Sequence, residues 1–138
     1  MIKLLLASHG DLAYGVYSSL KIIMGEQKNI STLCAYNKED FDLKKEVWKI
    51  INDLKDDDKL IIVTDIFGGS VNNEFMNNLY RDNLYLVSGL NLPLVMELML
   101  IQDESNIDSM IQNALETSIK TIKYCNPIIK AVEVEEEF

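Results

Sequence analysis

The chain has little of several residue types that usually mark a metal or redox site. Its 138 residues include one histidine, two cysteines and two prolines. Cys34 and Cys125 have neither a CxxC spacing nor the spacing of metal ligands. We therefore predict no metal site, and a reduced protein is the simpler interpretation, although a single disulfide stays open. A Walker pattern with its phosphate-binding lysine is also missing, and we predict no cofactor.

Positive charge and long apolar runs are scarce as well. The 13 Lys and Arg residues are outnumbered by 22 Asp and Glu, which gives a formal charge of −9. This balance argues against binding to nucleic acid or to anionic membranes and leaves room for a basic protein partner. The acidic runs 56–58 and 133–137 are interpreted as a solvated turn and tail. No run approaches the roughly 18 apolar residues of a membrane span, and residues 1–7 are too short for a secretory signal. We therefore expect a cytoplasmic protein, which would serve any membrane process from the cytosol.

What the chain does contain is an alternation of apolar strands and amphipathic helices, typical of one α/β domain over residues 1–138. Strands without polar alternation predict a mostly parallel, doubly wound sheet that is covered by helices on both faces. Trp48 is expected to anchor the core with Val47 and Ile51. The predicted strands are 2–7, 30–35, 59–64, 84–88 and a final edge, antiparallel or subunit-paired strand at 128–134; the predicted helices are 12–24, 40–54, 71–80, 93–101 and 108–124.

The only histidine stands where the first strand ends. His9 closes an apolar run, and Asp65 closes the third predicted strand. In an open parallel sheet, ligands bind beyond the carboxyl ends of the strands, where the strand order reverses. If the order is 2-1-3-4, that point lies between the first and third strands. His9 and Asp65 would then form one site.

The residue types at this edge suit phosphoryl transfer. An aspartate that accepts a hydrogen bond from one imidazole nitrogen leaves the other nitrogen free as a nucleophile. Gly68, Gly69 and Ser70, with Ser70 as N-cap of the next helix, would present N–H groups to an anion, and Gly10 would allow close approach. The same residues also fit an incidental histidine, a capping aspartate and an ordinary glycine turn, so pattern alone leaves both interpretations open.

Three groups of residues resemble the motifs of a known family, the IIA component of the mannose/fructose/sorbose-type sugar phosphotransferase system. They occur in the family's order, and the resemblance covers nearly the whole chain. The groups are Ser8-His9-Gly10 with Ala13, Gly15 and Met24-Gly25-Glu26; Asp65 with Gly68-Gly69-Ser70 and Asn73; and Gly89, Asn91 and Pro93 with Glu97-Leu98-Met99.

The resemblance implies a parallel sheet of order 2-1-3-4 and a last strand, within about 126–138, exchanged antiparallel across a homodimer. It implies a transferase in which His9 accepts a phosphoryl group at Nε2 from the histidine carrier protein HPr. His9 would pass the group to the IIB component, which phosphorylates a sugar imported through the membrane subunits IIC and IID. Asp65 would hold the imidazole at Nδ1, and Ser70 would lie by the phosphate. No linker or further domain follows Phe138, so IIB is expected to be a separate chain.

One position departs from the family, and other functions stay open. The usual proline after the serine is Val71 here, which is expected to loosen the turn by at most about 1 kcal/mol. The phosphotransfer subunit of dihydroxyacetone kinase shares the fold and the strand-end histidine. A receiver domain would be phosphorylated on Asp65, but it needs an acidic pair where Ser8 and His9 stand. A module that only senses phosphorylation is a further alternative, and the transported sugar is not encoded in these residues.

Overall fold

The structure, a computed structural model, describes residues 1–137 and alternates strands with helices. The strands are β1 Ile2–His9, β2 Ile30–Ala35, β3 Lys59–Thr64 and β4 Leu84–Ser88. The helices are α1 Leu12–Met24, α2 Leu43–Asn52, α3 Ser70–Met76, α4 Leu92–Met99, α5 Ile107–Ile119 and α6 Cys125–Glu137, with a 3-10 turn at Glu104–Asn106.

The four strands form one parallel sheet in the order β2-β1-β3-β4. The predicted α/β class and strand order are therefore confirmed. Strand β1 pairs with β2 on one side and with β3 on the other. The connection from β1 therefore leads to one side of it, and the chain later returns to form β3 on the opposite side. The carboxyl ends of β1 and β3 consequently lie at the point where the strand order reverses.

The core has two layers, one on each face of the sheet. Along β1, Leu4 and Leu6 point to the layer formed with α1, α4 and α5, whereas Leu5 and Ala7 point to the layer formed with α2 and α3. Successive side chains of a strand face opposite sides, so a strand covered on both faces is apolar at every position. This is why β1 and β3 are continuous apolar runs.

Helix α2 corrects one prediction about the core. Val47 and Ile51 are buried, but the side chain of Trp48 is 67% exposed, so the expectation that Trp48 anchors the core is wrong. Neighbouring helical residues point about 100° apart. Since Val47 faces the sheet, Trp48 is turned to the outer surface.

The predicted last strand at 128–134 is also wrong, because the segment belongs to helix α6. Pro127 lies in the first turn, where its missing N–H costs nothing, and the following residues include good helix formers such as Lys130 and Ala131. The β-branched residues Ile128 and Val132, which suggested a strand, are one helical turn apart.

Two further expectations concern the acidic tail and membrane-spanning segments. In the acidic tail, Glu135 and Glu136 are exposed, while the side chains of Glu133 and Glu137 and all of Phe138 lie outside the described residues. Across residues 1–137, no helix combines the length and the hydrophobicity that crossing a bilayer requires.

Candidate functional site

His9 and Asp65 lie side by side at the carboxyl edge of the sheet. His9 is the last residue of β1, and Asp65 directly follows β3, which runs parallel to β1 with Ala7 opposite Thr64. One carboxylate oxygen of Asp65, Oδ2, lies 2.8 Å from the backbone nitrogen of His9 and 2.9 Å from its ring Nδ1. The other oxygen, Oδ1, accepts the amide of Ile66 at 3.0 Å. The aspartate thus fixes both the backbone and the ring of the histidine.

This contact defines which ring nitrogen is free. An ionised carboxylate can only accept hydrogen bonds, so in the neutral imidazole the proton lies on Nδ1 and the lone pair on Nε2. Partial burial of Asp65 raises its pKa, but the hydrogen bonds from the His9 amide and ring outweigh this effect. The pKa of Asp65 is therefore lower than usual, and the carboxylate is ionised at neutral pH.

The second ring nitrogen of His9 contacts the hydroxyl of Ser70, which in turn contacts the hydroxyl of Tyr36. Ser70 Oγ lies 3.2 Å from His9 Nε2, and the hydroxyl of Tyr36 lies 2.9 Å from Ser70 Oγ. The structure therefore brings Ser70 to the imidazole, as the sequence predicts. Ser70 is the first residue of α3 rather than its N-cap, which is Gly69, so the serine hydroxyl is directed to the site and not to the helix amides.

The glycines around the site have different physical roles. Gly10 and Gly68 have φ angles of +59° and +79°, which side chains with a Cβ rarely adopt, and open space surrounds both. Gly69 has an ordinary φ, but a Cβ there would lie 2.8 Å from Ile66 Cγ2 and 3.3 Å from Cε1 of His9. Gly69 is thus required for space beside the imidazole, whereas the other two are required for backbone conformation.

The amides of the glycine turn already have acceptors within the chain. The N–H of Gly68 donates to Asn72 Oδ1 at 3.2 Å, and that of Gly69 donates to the carbonyl of Ile66 at 3.2 Å. The predicted use of these amides for a phosphoryl group therefore requires them to exchange partners, and it stays a prediction.

Two asparagines hold the turn that lacks the usual proline. The amide of Asn72 is buried and donates to Thr64 Oγ1 at 2.9 Å, while its oxygen accepts from Gly68. Asn73 donates to the Gly68 carbonyl at 3.0 Å, and Val71 is fully buried in the core. The turn is therefore fixed to the end of β3 by side-chain hydrogen bonds and packing.

The loop after β2 contributes a residue that the sequence did not indicate. Tyr36 has φ of +66° and is the one non-glycine residue with positive φ within 1–137. Such a conformation costs about 1–2 kcal/mol for an L-residue and is concentrated at functional sites. Its ring lies 5.6 Å from that of His9, centre to centre. The one signal in the sequence is position, since Tyr36 follows β2 at the same sheet edge as His9.

Ser8 supports the site from inside. Its side chain is fully buried; the hydroxyl donates to the Gly10 carbonyl at 3.0 Å and accepts the amide of Ala13 at 2.8 Å. The hydroxyl therefore caps the start of α1, which the side chain of Asp11 does not cap. This bond fixes the turn that follows His9.

The site is an open surface. The His9 side chain is 42% exposed, against 12% for Asp65. Within residues 1–137, no group of three or more His, Cys, Asp or Glu side chains gathers in a way that could hold a metal ion. The geometry therefore supplies an accessible nitrogen lone pair, an adjacent fixed negative charge and a hydroxyl group that can contact an oxyanion.

Known proteins resemble this chain in sequence and fold. The family model described as PTS system fructose IIA component, EIIA-man, matches residues 3–115. The PTS system fructose-specific EIIA component of Bacillus subtilis is 22% identical over 135 residues, covering 96% of this chain and 92% of that protein.

Two crystal structures extend the resemblance. One, assigned to a phosphoenolpyruvate-dependent sugar phosphotransferase system permease of Klebsiella pneumoniae, is 43% identical with a TM-score of 0.88 and covers 93% of each chain. A IIA protein associated with the fucose utilization operon of Streptococcus pneumoniae is 25% identical with a TM-score of 0.74, covering 93% of this chain and 96% of that one.

The family match includes all four strands of the parallel sheet, apart from Ile2 at the start of β1, and the residues gathered at its carboxyl edge. His9, Asp65 and Ser70 all fall within the matched range 3–115. The chain therefore belongs to the family of IIA components of the mannose- and fructose-type sugar phosphotransferase systems.

Proposed function

We propose that this protein is a phosphohistidine carrier that accepts a phosphoryl group from HPr on His9 and passes it to a separate IIB protein. One observation carries the proposal: Asp65 holds the imidazole through Nδ1 at 2.9 Å, while Nε2 faces the open edge of the sheet beside the Ser70 hydroxyl. A ring held in this way presents the lone pair of Nε2 at the open edge of the sheet, where it can act as a nucleophile.

The transfer is balanced as follows. The Nε2 lone pair of His9 forms a bond to phosphorus while the N–P bond of the donor phosphohistidine breaks, and the electrons of that bond return to the donor imidazole. The His9 ring then bears phosphorus on Nε2 and a proton on Nδ1, so it is positively charged. The carboxylate of Asp65 balances this charge at 2.9 Å. Transfer to IIB reverses the step, and the electron pair returns to Nε2.

The surrounding residues receive matching roles. Asp65 orients His9, and the Ser70 hydroxyl donates to a phosphoryl oxygen. Gly10 and Gly68 give the loops their left-handed conformation, and Gly69 leaves room for the ring.

Protein partners fit the exposed surface beside the site. Ile66 and Phe67 are 58% and 75% exposed and directly follow Asp65, and Leu12 near His9 is 49% exposed. Large apolar side chains around an open reactive group are typical of a surface that another protein covers. HPr and IIB would use this surface in turn, in the cytoplasm and beside the membrane subunits IIC and IID.

A labelling experiment tests the proposal. The protein is incubated with enzyme I, HPr and labelled phosphoenolpyruvate, then mixed with the IIB protein. We expect wild-type protein to be labelled, the label to survive alkali and to move to IIB, and His9→Ala to remain unlabelled. Unchanged labelling of His9→Ala would refute the proposal, and a label that is retained in the presence of IIB would indicate a sensor rather than a carrier.

The two other phosphorylated classes receive less support. Both oxygens of Asp65 are already occupied by His9 and Ile66, so this carboxylate is a poor candidate for the phosphorylated group of a receiver domain. The dihydroxyacetone kinase subunit shares the fold, but the family model and the curated relative both belong to the sugar system.

The homodimer also stays a proposal, without the strand exchange that the sequence suggested. Its support is the exposure of three apolar side chains on α6, Ile128, Ile129 and Val132, at 47%, 58% and 47%. Sedimentation velocity of Ile128→Asp/Val132→Asp tests it, with Ile22→Asp on α1 as a control for an equally apolar but unrelated surface. A dimeric double variant would contradict a contact through α6.

A further inference from the structure

We infer that Tyr36 is a positioning residue of this site, which acts on the transferred phosphoryl group through the hydroxyl of Ser70. This role rests on the phosphoryl transfer proposed above and adds a residue to it. Tyr36 lies at the end of β2, outside the motifs around His9 and Asp65, and only the folded chain brings it to the imidazole.

The hydrogen bonds around His9 have one consistent direction. The ring donates from Nδ1 to the Asp65 carboxylate at 2.9 Å, so Nε2 must accept. The Ser70 hydroxyl at 3.2 Å therefore donates to Nε2. Because the Ser70 proton is used in the bond to Nε2, Ser70 Oγ can only accept in its other hydrogen bond. The Tyr36 hydroxyl, 2.9 Å away, is therefore the donor. A single relay thus runs from Tyr36 through Ser70 and His9 to Asp65.

The loop that carries Tyr36 is fixed at several points. The amide of Gly10, next to His9, donates to the Ala35 carbonyl at 2.8 Å, and Asn37 donates to the Asp11 side chain at 2.6 Å. The Tyr36 ring packs edge-on against Phe41 with 5.4 Å between centres. The left-handed backbone of Tyr36 is held on both sides, which is how a strained residue is retained in a fold.

The relay keeps the serine proton aimed at the reacting atoms. Before transfer, the Ser70 hydroxyl points at Nε2; once phosphorus occupies that nitrogen, the same hydroxyl can turn to a phosphoryl oxygen while Oγ still accepts from Tyr36. Without the tyrosine hydroxyl, the serine hydroxyl is free to rotate away. Tyr36 therefore holds the serine hydroxyl in place, so that it can donate first to Nε2 and then to a phosphoryl oxygen.

A double-mutant cycle tests this role in the full-length protein. Tyr36→Phe removes the hydroxyl and keeps the ring between His9 and Phe41, and Tyr80→Phe removes the hydroxyl of a 79% exposed tyrosine as a matched control. In single-turnover transfer from phosphorylated HPr, we expect Tyr36→Phe to be about tenfold slower than wild type and Tyr80→Phe to be unchanged. Because Tyr36 acts through Ser70, Tyr36→Phe/Ser70→Ala should be no slower than Ser70→Ala alone.

A second measurement does not depend on phosphoryl transfer. The chain has one histidine, so the ¹⁵N signals of its ring are unambiguous in the unphosphorylated protein. We expect the Nε2 signal to shift in the same direction in Tyr36→Phe and Ser70→Ala, and to be unchanged in Tyr80→Phe. A wild-type rate for Tyr36→Phe, rate losses that multiply in the double variant, or an unshifted Nε2 signal would overturn the role of Tyr36. A wild-type protein that HPr does not label would instead refute the proposed function, and the ¹⁵N spectra would still decide whether Tyr36 holds the Ser70–His9 bond.

Discussion

The two ends of the β1–β3 strand pair each hold a carboxylate against a side chain of β1. At the amino end, Lys3 Nζ lies 3.0 Å from Asp58 Oδ2; at the carboxyl end, His9 Nδ1 lies 2.9 Å from Asp65 Oδ2. The two aspartate side chains are 8% and 12% exposed. Distance and burial of the carboxylate are thus nearly the same at both ends.

The difference lies in what the β1 side chain can still do once it is paired. The Lys3 ammonium has three donors and no acceptor, so its ion pair with Asp58 leaves no nucleophile. The amino group of Met1, 3.7 Å from Asp58 and 2.8 Å from Glu104, adds another cation to the same cluster. The imidazole of His9 keeps a second nitrogen. The Lys3–Asp58 ion pair at the amino end of the sheet therefore only holds the structure together, whereas Asp65 at the carboxyl end also orients a ring that keeps a free nitrogen.

Replacing each aspartate by asparagine separates the two ends most strongly. Asp65→Asn removes the charge that balances a phosphorylated ring and allows the wrong tautomer of His9. We expect phosphoryl transfer from HPr to fall by about 10²- to 10⁴-fold, the range seen when an orienting carboxylate or a general catalyst is removed. Single-turnover labelling measures the loss.

Asp58→Asn is the matched control at the other end. It removes a carboxylate of similar burial that Lys3 and the Met1 amino group share. We expect a lower midpoint of urea unfolding with an unchanged rate of transfer in folded protein. Equal losses of transfer in the two variants would show that the ends do not differ in function, and would contradict the assignment of the site to the carboxyl edge.

Space beside the imidazole provides a sharper test of the carboxyl end. In Gly69→Ala, the new methyl group would lie 2.8 Å from Ile66 Cγ2 and 3.3 Å from Cε1 of His9, so the Ile66 side chain must move and the imidazole must give by a few tenths of an ångström. We expect transfer to fall about tenfold, since small displacements of a nucleophile are costly.

Gly68→Ala is its control, because it has open space and a φ of +79°. That variant should lose about 1 kcal/mol of unfolding free energy through backbone strain and retain more of its transfer rate than Gly69→Ala. Urea unfolding and single-turnover labelling of both variants give the comparison. A slower Gly68→Ala than Gly69→Ala would contradict the spatial role given to Gly69.

The sequence was sufficient for the features that local pattern determines. Apolar runs ending at His9 and Asp65 placed both residues at strand ends, and the parallel topology brought those ends together. The glycine turn before Ser70 is recognisable from two adjacent glycines, of which Gly68 has a backbone conformation that few other residues tolerate. A short stretch of chain is enough to predict each strand end and the turn, and the rule for parallel sheets then brings the two ends together.

Features decided by distant contacts were missed. Ile128 and Val132 favour strands by composition, yet their spacing also fits the helix α6. Tyr36 follows β2 without any motif, and its left-handed backbone depends on the neighbouring turn. The buried Asn72 gains its role only from Thr64 and Gly68, which other elements position. Propensity and periodicity contain no information about such partners.

The acid stability of the two ends gives the smallest expected difference. The hydrogen bond and ion pair with Lys3 lower the pKa of Asp58 despite some desolvation. At Asp65, desolvation raises the pKa, but the hydrogen bonds from His9 lower it by more, so the net shift is downward. Both carboxyls therefore bind protons more weakly in the folded state than in the unfolded chain. Each carboxylate contributes to the free energy of unfolding at any pH above its pKa in the unfolded chain, which is about 3.9. This contribution is lost as the pH falls through the lower pKa of the folded state. When urea unfolding is measured as the pH is lowered from about 5 to about 3, Asp58→Asn and Asp65→Asn should each lose less stability than wild type loses. A variant whose stability falls with pH as steeply as that of wild type would contradict the ion pair assigned to that aspartate.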